Sequence, residues 1–147
     1  MAKKAPLRQK KCLNIKDMLS ERTEEIAKII VNSAFKVHKE LGPGLLERIY
    51  EVCLAHEITK AGLNVKRQID LPIVYDNIIF DEGLRLDLYV EDSVIVEIKA
   101  IEIVNSVWSA QIISHLHLTQ NQLGFLINFN VPLIKNGIRR FINTKTY

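Results

Sequence analysis

Apolar and polar residues alternate through the segment Arg85-Leu-Asp-Leu-Tyr-Val-Glu-Asp-Ser-Val-Ile-Val-Glu-Ile-Lys99. One set of alternate positions is wholly apolar, and it consists of Leu86, Leu88, Val90, Val94, Val96 and Ile98. The other set carries every ionisable side chain of the two runs, and it consists of Arg85, Asp87, Tyr89, Ile95, Glu97 and Lys99. Because successive side chains of a strand point to opposite faces, the segment predicts a β-hairpin with one buried face.

The register of this hairpin brings two carboxylates together. A three-residue loop at residues 91–93 pairs Val90 with Val94 and sets Asp87 opposite Glu97. Two ionised carboxylates about 4 Å apart repel by roughly 4 kcal/mol at an effective dielectric of about 20. A hard divalent cation would offset that repulsion, and Lys99 would lie on the same face, beside a bound water or phosphate. The alternative is a solvent-exposed face on which these side chains and Arg85 form cross-strand ion pairs.

Two helices are predicted before the hairpin. The first runs from Glu21 to Leu41 and ends at Gly42-Pro-Gly44, with an apolar face formed by Ile26, Ile29, Ile30, Ala34, Val37 and Leu41. The second runs from about Leu45 to Ala61 and ends at Gly62. Its predicted inward residues are Leu45, Ile49, Val52, Cys53 and His56.

Short β-rich runs follow Gly62 at residues 65–69, 73–75, 78–80, 84–90 and 94–100. Asn105 or Ser106 can cap a third helix that continues through Trp108, Ile112, Ile113 and Leu116 to about Leu118. Residues 124–129 and 138–142 are predicted as closing strands. The order α-α-β-β-β-α-β-β predicts an α/β fold with a mixed sheet flanked by helices.

Length and charge predict a tail and one domain. The 147 residues include 48% hydrophobic residues, which suits a single domain over residues 21–147. Six basic residues precede the first acid, Asp17, so residues 1–20 form a basic tail that is either a disordered solubility segment or a nucleic-acid-binding arm. The sequence shows neither a membrane-spanning apolar stretch nor a secretory signal, which predicts a cytoplasmic protein.

The run Gly44-Leu-Leu-Glu47-Arg-Ile-Tyr50 resembles the motif that names the GxxExxY protein family, which is grouped with the PD-(D/E)XK nuclease superfamily. The similarity covers about residues 26–143. It continues through Gln68, Tyr75, Arg85-Leu-Asp87, Glu97-Ile-Lys99, Gln111 and Gly124-Phe-Leu-Ile-Asn128-Phe. The resemblance implies a nuclease-like core, a mixed sheet flanked by helices.

The resemblance also implies roles for individual residues. Glu47, Asp87 and Glu97 would bind Mg²⁺, with Mn²⁺ as the other candidate ion. Catalysis would involve Asp87 and Glu97 together with Lys99 and Gln111, and Lys99 would orient the nucleophile or neutralise charge on the phosphate. Arg85 is a further candidate substrate contact, and Tyr50 is expected either to contact substrate or to pack in the core. His115 is expected to be an ordinary helical histidine, with a phosphate contact as the alternative. Where the family usually has a tyrosine four residues after the glutamine, this sequence has His115.

The leading functional hypothesis from the sequence is a Mg²⁺-dependent nuclease that hydrolyses phosphodiester bonds of DNA, with RNA as a second substrate class. The main alternative is a catalytically silent module with the nuclease fold that binds nucleic acid or protein. A purely structural partner subunit is a third alternative. The expected partner is nucleic acid, and a homodimer is left open.

Overall fold

A five-stranded mixed sheet and three α-helices make up residues 19–145, the part of the chain that the computed structural model describes. The elements are α1 (Glu21–Leu41), α2 (Glu47–Lys60), β1 (Val65–Tyr75), β2 (Ile78–Val90), β3 (Val94–Lys99), α3 (Val107–Thr119), β4 (Leu123–Asn128) and β5 (Ile138–Ile142). This order confirms the predicted α/β fold. The basic tail lies almost wholly outside the described residues. Within them, no helix has the length and apolar character needed to cross a membrane.

The strands lie side by side in chain order, and only the β3–β4 pair is parallel. Parallel neighbours need a crossover connection, and α3 supplies it. β3 and β4 are the most buried strands, and every residue of β4 is buried. The candidate site residues Glu97 and Lys99 therefore belong to a strand at the centre of the sheet.

α1 buries the face that its sequence predicts. The Ser20 hydroxyl caps the helix by accepting a hydrogen bond from the Thr23 amide at 3.1 Å. Ile26, Ile30, Ala34 and Val37 are buried in the core, while Ile29 and Leu41 pack partly buried against it. The helix ends at Gly42, whose φ of 66° is in the region that favours glycine.

α2 buries a different face from the predicted one. Leu45, Ile49 and Val52 are exposed, whereas Leu54 and Ile58 are completely buried. Tyr50 sets this orientation because its ring stacks on Phe129 with the centroids 4.6 Å apart. Its hydroxyl donates to the Gly42 carbonyl at 2.6 Å and accepts from the Leu45 amide at 3.1 Å. The prediction that Leu45, Ile49, Val52 and His56 point inward is therefore wrong, whereas Cys53 packs partly buried against the core.

β1 and β2 form a longer hairpin than the short predicted runs. Their register shifts after Pro72, and beyond the shift the strands pair as Ile73–Phe80, Val74–Ile79 and Tyr75–Ile78. We call residues 73–80 the hairpin arm. Its two-residue turn, Asp76-Asn77, has φ values of 52° and 57°, as tight hairpin turns require. Every residue of the arm outside the turn is apolar, and Tyr75, Ile78 and Ile79 are more than half exposed.

Two apolar clusters lie on the sheet. The larger one joins α1 and α2 to Val94, Val96 and Ile98 of β3. The smaller one consists of Tyr89, Ile95, Leu86 and, from α3, Leu116. Because neighbouring residues of β3 point to opposite faces, α3 lies across the sheet from α1 and α2.

Leu86 departs from the predicted alternation, which grouped it with Leu88. The structure places Leu86 in the smaller cluster and Leu88 in the larger one. Two irregularities account for the switch. The β2–β3 pairing ends at Leu88–Val96, and Gln68, the β1 residue beside Asp87, has a φ of 48°.

Candidate active site

Asp87 and Glu97 lie where the β2–β3 pairing ends. The observed pairs include the predicted Val90–Val94 pair, and the last is Leu88–Val96, one position before the two acids. At this point a side-chain hydrogen bond replaces the backbone pairing, because Asp87 Oδ2 accepts a hydrogen bond from the Ile98 amide at 2.8 Å. Asp87 is close enough to Glu97 for its charge to raise the pKa of Glu97. The structure therefore brings the two hairpin acids together.

Glu97 is largely buried, with 15% of its side chain exposed. Burial raises the pKa of Glu97, His115 lowers it, and the Asp87 carboxylate raises it. Glu97 Oε1 and His115 Nδ1 lie 3.8 Å apart, which is too far for a hydrogen bond. Both atoms are buried, and neither has a hydrogen-bond partner among residues 19–145. Glu97 thus presents an oxygen whose bonding capacity is unused.

Gln68 connects Asp87 to a second buried acid, Glu51 of α2. The Gln68 amide donates to both Glu51 oxygens at 3.1 Å and to Asp87 Oδ1 at 3.3 Å, while its oxygen accepts from Arg85 Nε at 3.1 Å. Arg67 lies 3.4 Å from Glu51. Arg85, a predicted substrate residue, is exposed beside this network. Gln68 was already part of the matched motif, but its role depends on tertiary contacts.

Glu47, the first residue of α2, lies within electrostatic reach of the hairpin. Restricted hydration raises the pKa of Glu47, Lys99 lowers it, and Asp87 and Glu51 raise it. Over the described part of the chain, no three His, Cys, Asp or Glu side chains are close enough together to hold a metal ion. Glu47 therefore approaches Asp87 and Lys99 without completing a ligand set with Asp87 and Glu97.

Lys99 lies beside Trp108, near the start of α3. Its ammonium nitrogen is 5.1 Å from the centroid of the Trp108 ring. Both residues line a cavity of about 20 Å³ together with Glu97, Gln111, Ile112, His115 and Leu126. Gln111 is solvent exposed. The structure thus gathers the predicted residues Glu97, Lys99, Gln111 and His115. It adds Trp108, which the helix pattern had marked only as an apolar position.

Tyr50, predicted as a substrate contact, is completely buried. Its hydroxyl makes hydrogen bonds to the Gly42–Leu45 turn, and its ring stacks on Phe129. That prediction is wrong in this structure because no surface of the side chain is left for a substrate. Tyr50 instead fixes the turn that leads into Glu47.

A family model described as the PD-(D/E)XK nuclease superfamily matches residues 24–141. The chain therefore belongs to this superfamily. Membership suggests nuclease activity and implies a nucleic-acid substrate, and PD-(D/E)XK nucleases typically use divalent metal ions. No curated protein and no solved structure matches the chain.

The side chains around Glu97 fit a divalent metal ion in their chemistry. Carboxylate oxygens are the ligands that Mg²⁺ prefers, and Glu97 Oε1 is buried without a partner. Both Asp87 oxygens accept hydrogen bonds, but an ionised carboxylate has about four acceptor positions, so each oxygen retains one. Neighbouring acids also repel each other, and a cation would relieve that repulsion.

Proposed function

We propose that the chain is a metal-dependent nuclease that hydrolyses phosphodiester bonds of DNA, with RNA as the second substrate class to test. The observation that carries this proposal is the unpartnered, buried Oε1 of Glu97, beside Asp87 and close to Lys99. An unsatisfied carboxylate oxygen destabilises a fold, so its presence needs an explanation. A bound cation in a superfamily of nucleases provides one.

In this proposal, Asp87 and Glu97 hold the metal ion, and Glu47 contributes charge from α2. When bound, Mg²⁺ or Mn²⁺ supplies positive charge that polarises the phosphodiester and activates water. Lys99 neutralises negative charge that develops on the phosphate oxygens. Gln111, exposed at the rim of the same cavity, contacts the substrate. The resemblance of residues 44–50 to the GxxExxY motif supports assigning the chain to that family within the superfamily.

The decisive experiment compares Lys99→Met with Lys135→Met, a substitution of an exposed lysine beyond β4. Purified proteins are incubated with Mg²⁺ or Mn²⁺ and with single-stranded, duplex and branched DNA and RNA. Lys99→Met should slow cleavage by about 100-fold to 1,000-fold, as loss of a group that stabilises transition-state charge does. Lys135→Met should cleave like wild type. Equal residual cleavage in wild type and Lys99→Met would identify a contaminating nuclease.

Metal binding is tested separately from cleavage. Mg²⁺ or Mn²⁺ should raise the unfolding midpoint of wild type, because any ligand of the native state stabilises it by mass action. Glu97→Gln should lose most of this effect, since it removes a ligand charge at nearly constant shape. Lys99→Met should retain it. A metal effect of the same size in Glu97→Gln would remove Glu97 from the proposed site.

One observation favours the alternative of a silent binding module. Over residues 19–145, no group of three potential ligands is drawn together as a metal centre would require. A silent module should bind nucleic acid or protein without cleavage in either metal ion. Metal binding without lysine-dependent cleavage would also make the module the better account.

Charge suggests where polyanion affinity resides. Residues 19–145 contain 14 basic and 16 acidic side chains, whereas residues 1–16 contain six basic residues and no acid. If the tail binds DNA, those six charges contribute a slope of up to about −5 in log K against log salt. Deleting residues 2–16 should flatten the slope. An unchanged slope would favour the solubility-segment interpretation.

A further inference from the structure

The Lys99 ammonium is held by an aromatic ring and not by a carboxylate. Its nitrogen lies 5.1 Å from the Trp108 ring centroid. Over residues 19–145, none of the salt bridges involves Lys99. Glu97, two residues away on the same strand face, instead has His115 as its nearest basic neighbour, at 3.8 Å. Among residues 19–145, the ammonium therefore has no carboxylate within ion-pair distance, although Glu47 lies within electrostatic reach of it.

Such a partner suits a lysine that must meet a phosphate. A carboxylate at salt-bridge distance would neutralise the ammonium and compete with an incoming anion. A ring face attracts the cation without neutralising it, and it favours the held position by a factor of about two to thirty. Because lysine has a long and flexible side chain, restricting the ammonium before substrate arrives reduces the ordering that the reaction requires.

Hydrogen bonds fix the backbone that carries the ring. Trp108 is the second residue of α3, and its amide donates to the Asn105 carbonyl at 3.1 Å. The Asn105 side chain also accepts the Val107 amide at 3.0 Å, which fixes the first turn of the helix. Three residues later, Gln111 projects from nearly the same side of α3 and lines the same cavity. The indole is thus placed at the cavity by the helix start.

We propose that Trp108 is a positioning residue that holds the Lys99 ammonium beside the cavity that Glu97 lines. The inference rests on the proposed nuclease function. Trp108 acts only through Lys99, and it need not touch the substrate. Its removal should therefore lower the cleavage rate at saturating substrate and leave the apparent affinity for substrate nearly unchanged.

The test uses Trp108→Phe and Trp108→Leu, alone and combined with Lys99→Met. Leucine keeps apolar bulk but has no ring, so cleavage at saturating substrate should fall about tenfold; phenylalanine keeps a weaker ring face and should lose at most about threefold. In the Lys99→Met background, Trp108→Leu should cause no further loss, because the two residues act as one unit. An equal loss in both backgrounds would indicate a merely structural role and overturn the inference.

Fluorescence gives a readout that does not depend on activity. Trp108 is the sole tryptophan of the chain, so its emission reports on this site alone. Lys99→Met should change the emission of the folded protein, and Lys135→Met should not. Unchanged emission in Lys99→Met would overturn the contact. A wild type that cleaves no substrate would overturn the proposed function and this inference together, whereas a cleaving wild type with an equally active Trp108→Leu would overturn this inference alone.

Discussion

The two faces of β3 differ in what surrounds them. Toward α1 and α2, the strand presents Val94, Val96 and Ile98, all completely buried in the larger apolar cluster. Toward α3, it presents the buried Ile95, then Glu97 with its unpartnered oxygen, then Lys99 beside a tryptophan. The side chains of the first face are apolar and completely buried, whereas the second face contains a buried polar atom without a hydrogen-bond partner. Alternation thus lets one central strand anchor the fold on one side and hold ionisable side chains on the other.

The comparison shows how the stability of this domain is distributed. Apolar burial on the α1 and α2 side stabilises the sheet, while the Glu97 side carries a buried acid with a raised pKa next to another acid. Substitutions on the first face should therefore destabilise the protein, and removal of the Glu97 charge on the second face should stabilise it. The following predictions test that contrast.

The largest effect should come from Ile98→Ala. This side chain is completely buried, and truncating a buried isoleucine to alanine typically costs about 2–5 kcal/mol of unfolding free energy. Lys99→Met, at the adjacent position on the opposite face, should change the stability by less than about 1 kcal/mol, because it loses one cation–π contact. Urea denaturation of both variants measures the contrast. Similar losses at the two positions would mean that the faces do not differ in this way.

The next effect concerns pH. Burial and Asp87 raise the pKa of Glu97 in the folded protein, so the metal-free native state retains a proton that the unfolded chain releases. The resulting stabilisation is present below the ordinary glutamate pKa and is lost as the pH rises through the raised one. Each unit of increase corresponds to about 1.4 kcal/mol.

Glu97→Gln should remove this pH dependence and be more stable than wild type at neutral pH without metal. Unfolding midpoints measured from about pH 4 to about pH 8 give the difference between the two proteins. Glu82→Gln, which alters an exposed carboxylate, is the matched control. A Glu97→Gln variant that is less stable than wild type at neutral pH would show that the ionised carboxylate stabilises the fold.

A smaller effect is expected for Tyr50→Phe. The hydroxyl makes two hydrogen bonds to the turn before α2, and its loss should cost about 1 kcal/mol. The stacked ring remains, so the fold should be retained. Tyr75→Phe provides the control, since Tyr75 is 68% exposed. Equal midpoints for both variants in thermal unfolding would show that the turn does not depend on the hydroxyl.

The smallest effect is expected in the hairpin arm. Ile79 is 70% exposed, so Ile79→Thr should change the unfolding free energy by no more than about 0.5 kcal/mol. Threonine keeps the β-branched shape, which limits any loss of strand preference. A loss as large as that of Ile98→Ala would mean that the arm is covered in solution.

Local pattern was sufficient for α1, for the hairpin register at Val90–Val94 and for the five-stranded sheet. Local pattern failed for α2, because apolar side chains occur on most sides of this helix. The periodicity of its sequence therefore does not select one buried face. Contacts between Tyr50 and residues distant from α2, such as Phe129, select it. The same applies to Glu51, which is buried because Arg67 and Gln68 approach it from β1.

In the candidate site, too, some residues were predictable from local pattern and others depend on tertiary contacts. Asp87, Glu97 and Lys99 were predicted from alternation, which operates over two adjacent strands. Trp108 and Gln68 come close to these residues only when α3 and β1 pack beside the hairpin, so strand alternation does not reveal them, and Gln68 entered only through the matched motif. Leu86 shows the limit of alternation itself, because the pairing ends just before the residues that carry the charges.

The hairpin arm has a consequence for the behaviour of the protein in concentrated solution. Paired strands with apolar side chains on both faces and an open edge are a template for intermolecular strand addition and aggregation. Asp76 in the turn and Asp81 and Glu82 just beyond the arm place negative charge around that template, as gatekeeper residues do. Because all three side chains are acidic, they should oppose the close approach of arms from neighbouring molecules. We therefore expect the resistance of the protein to aggregation at high concentration to depend on three acids that lie outside the candidate site.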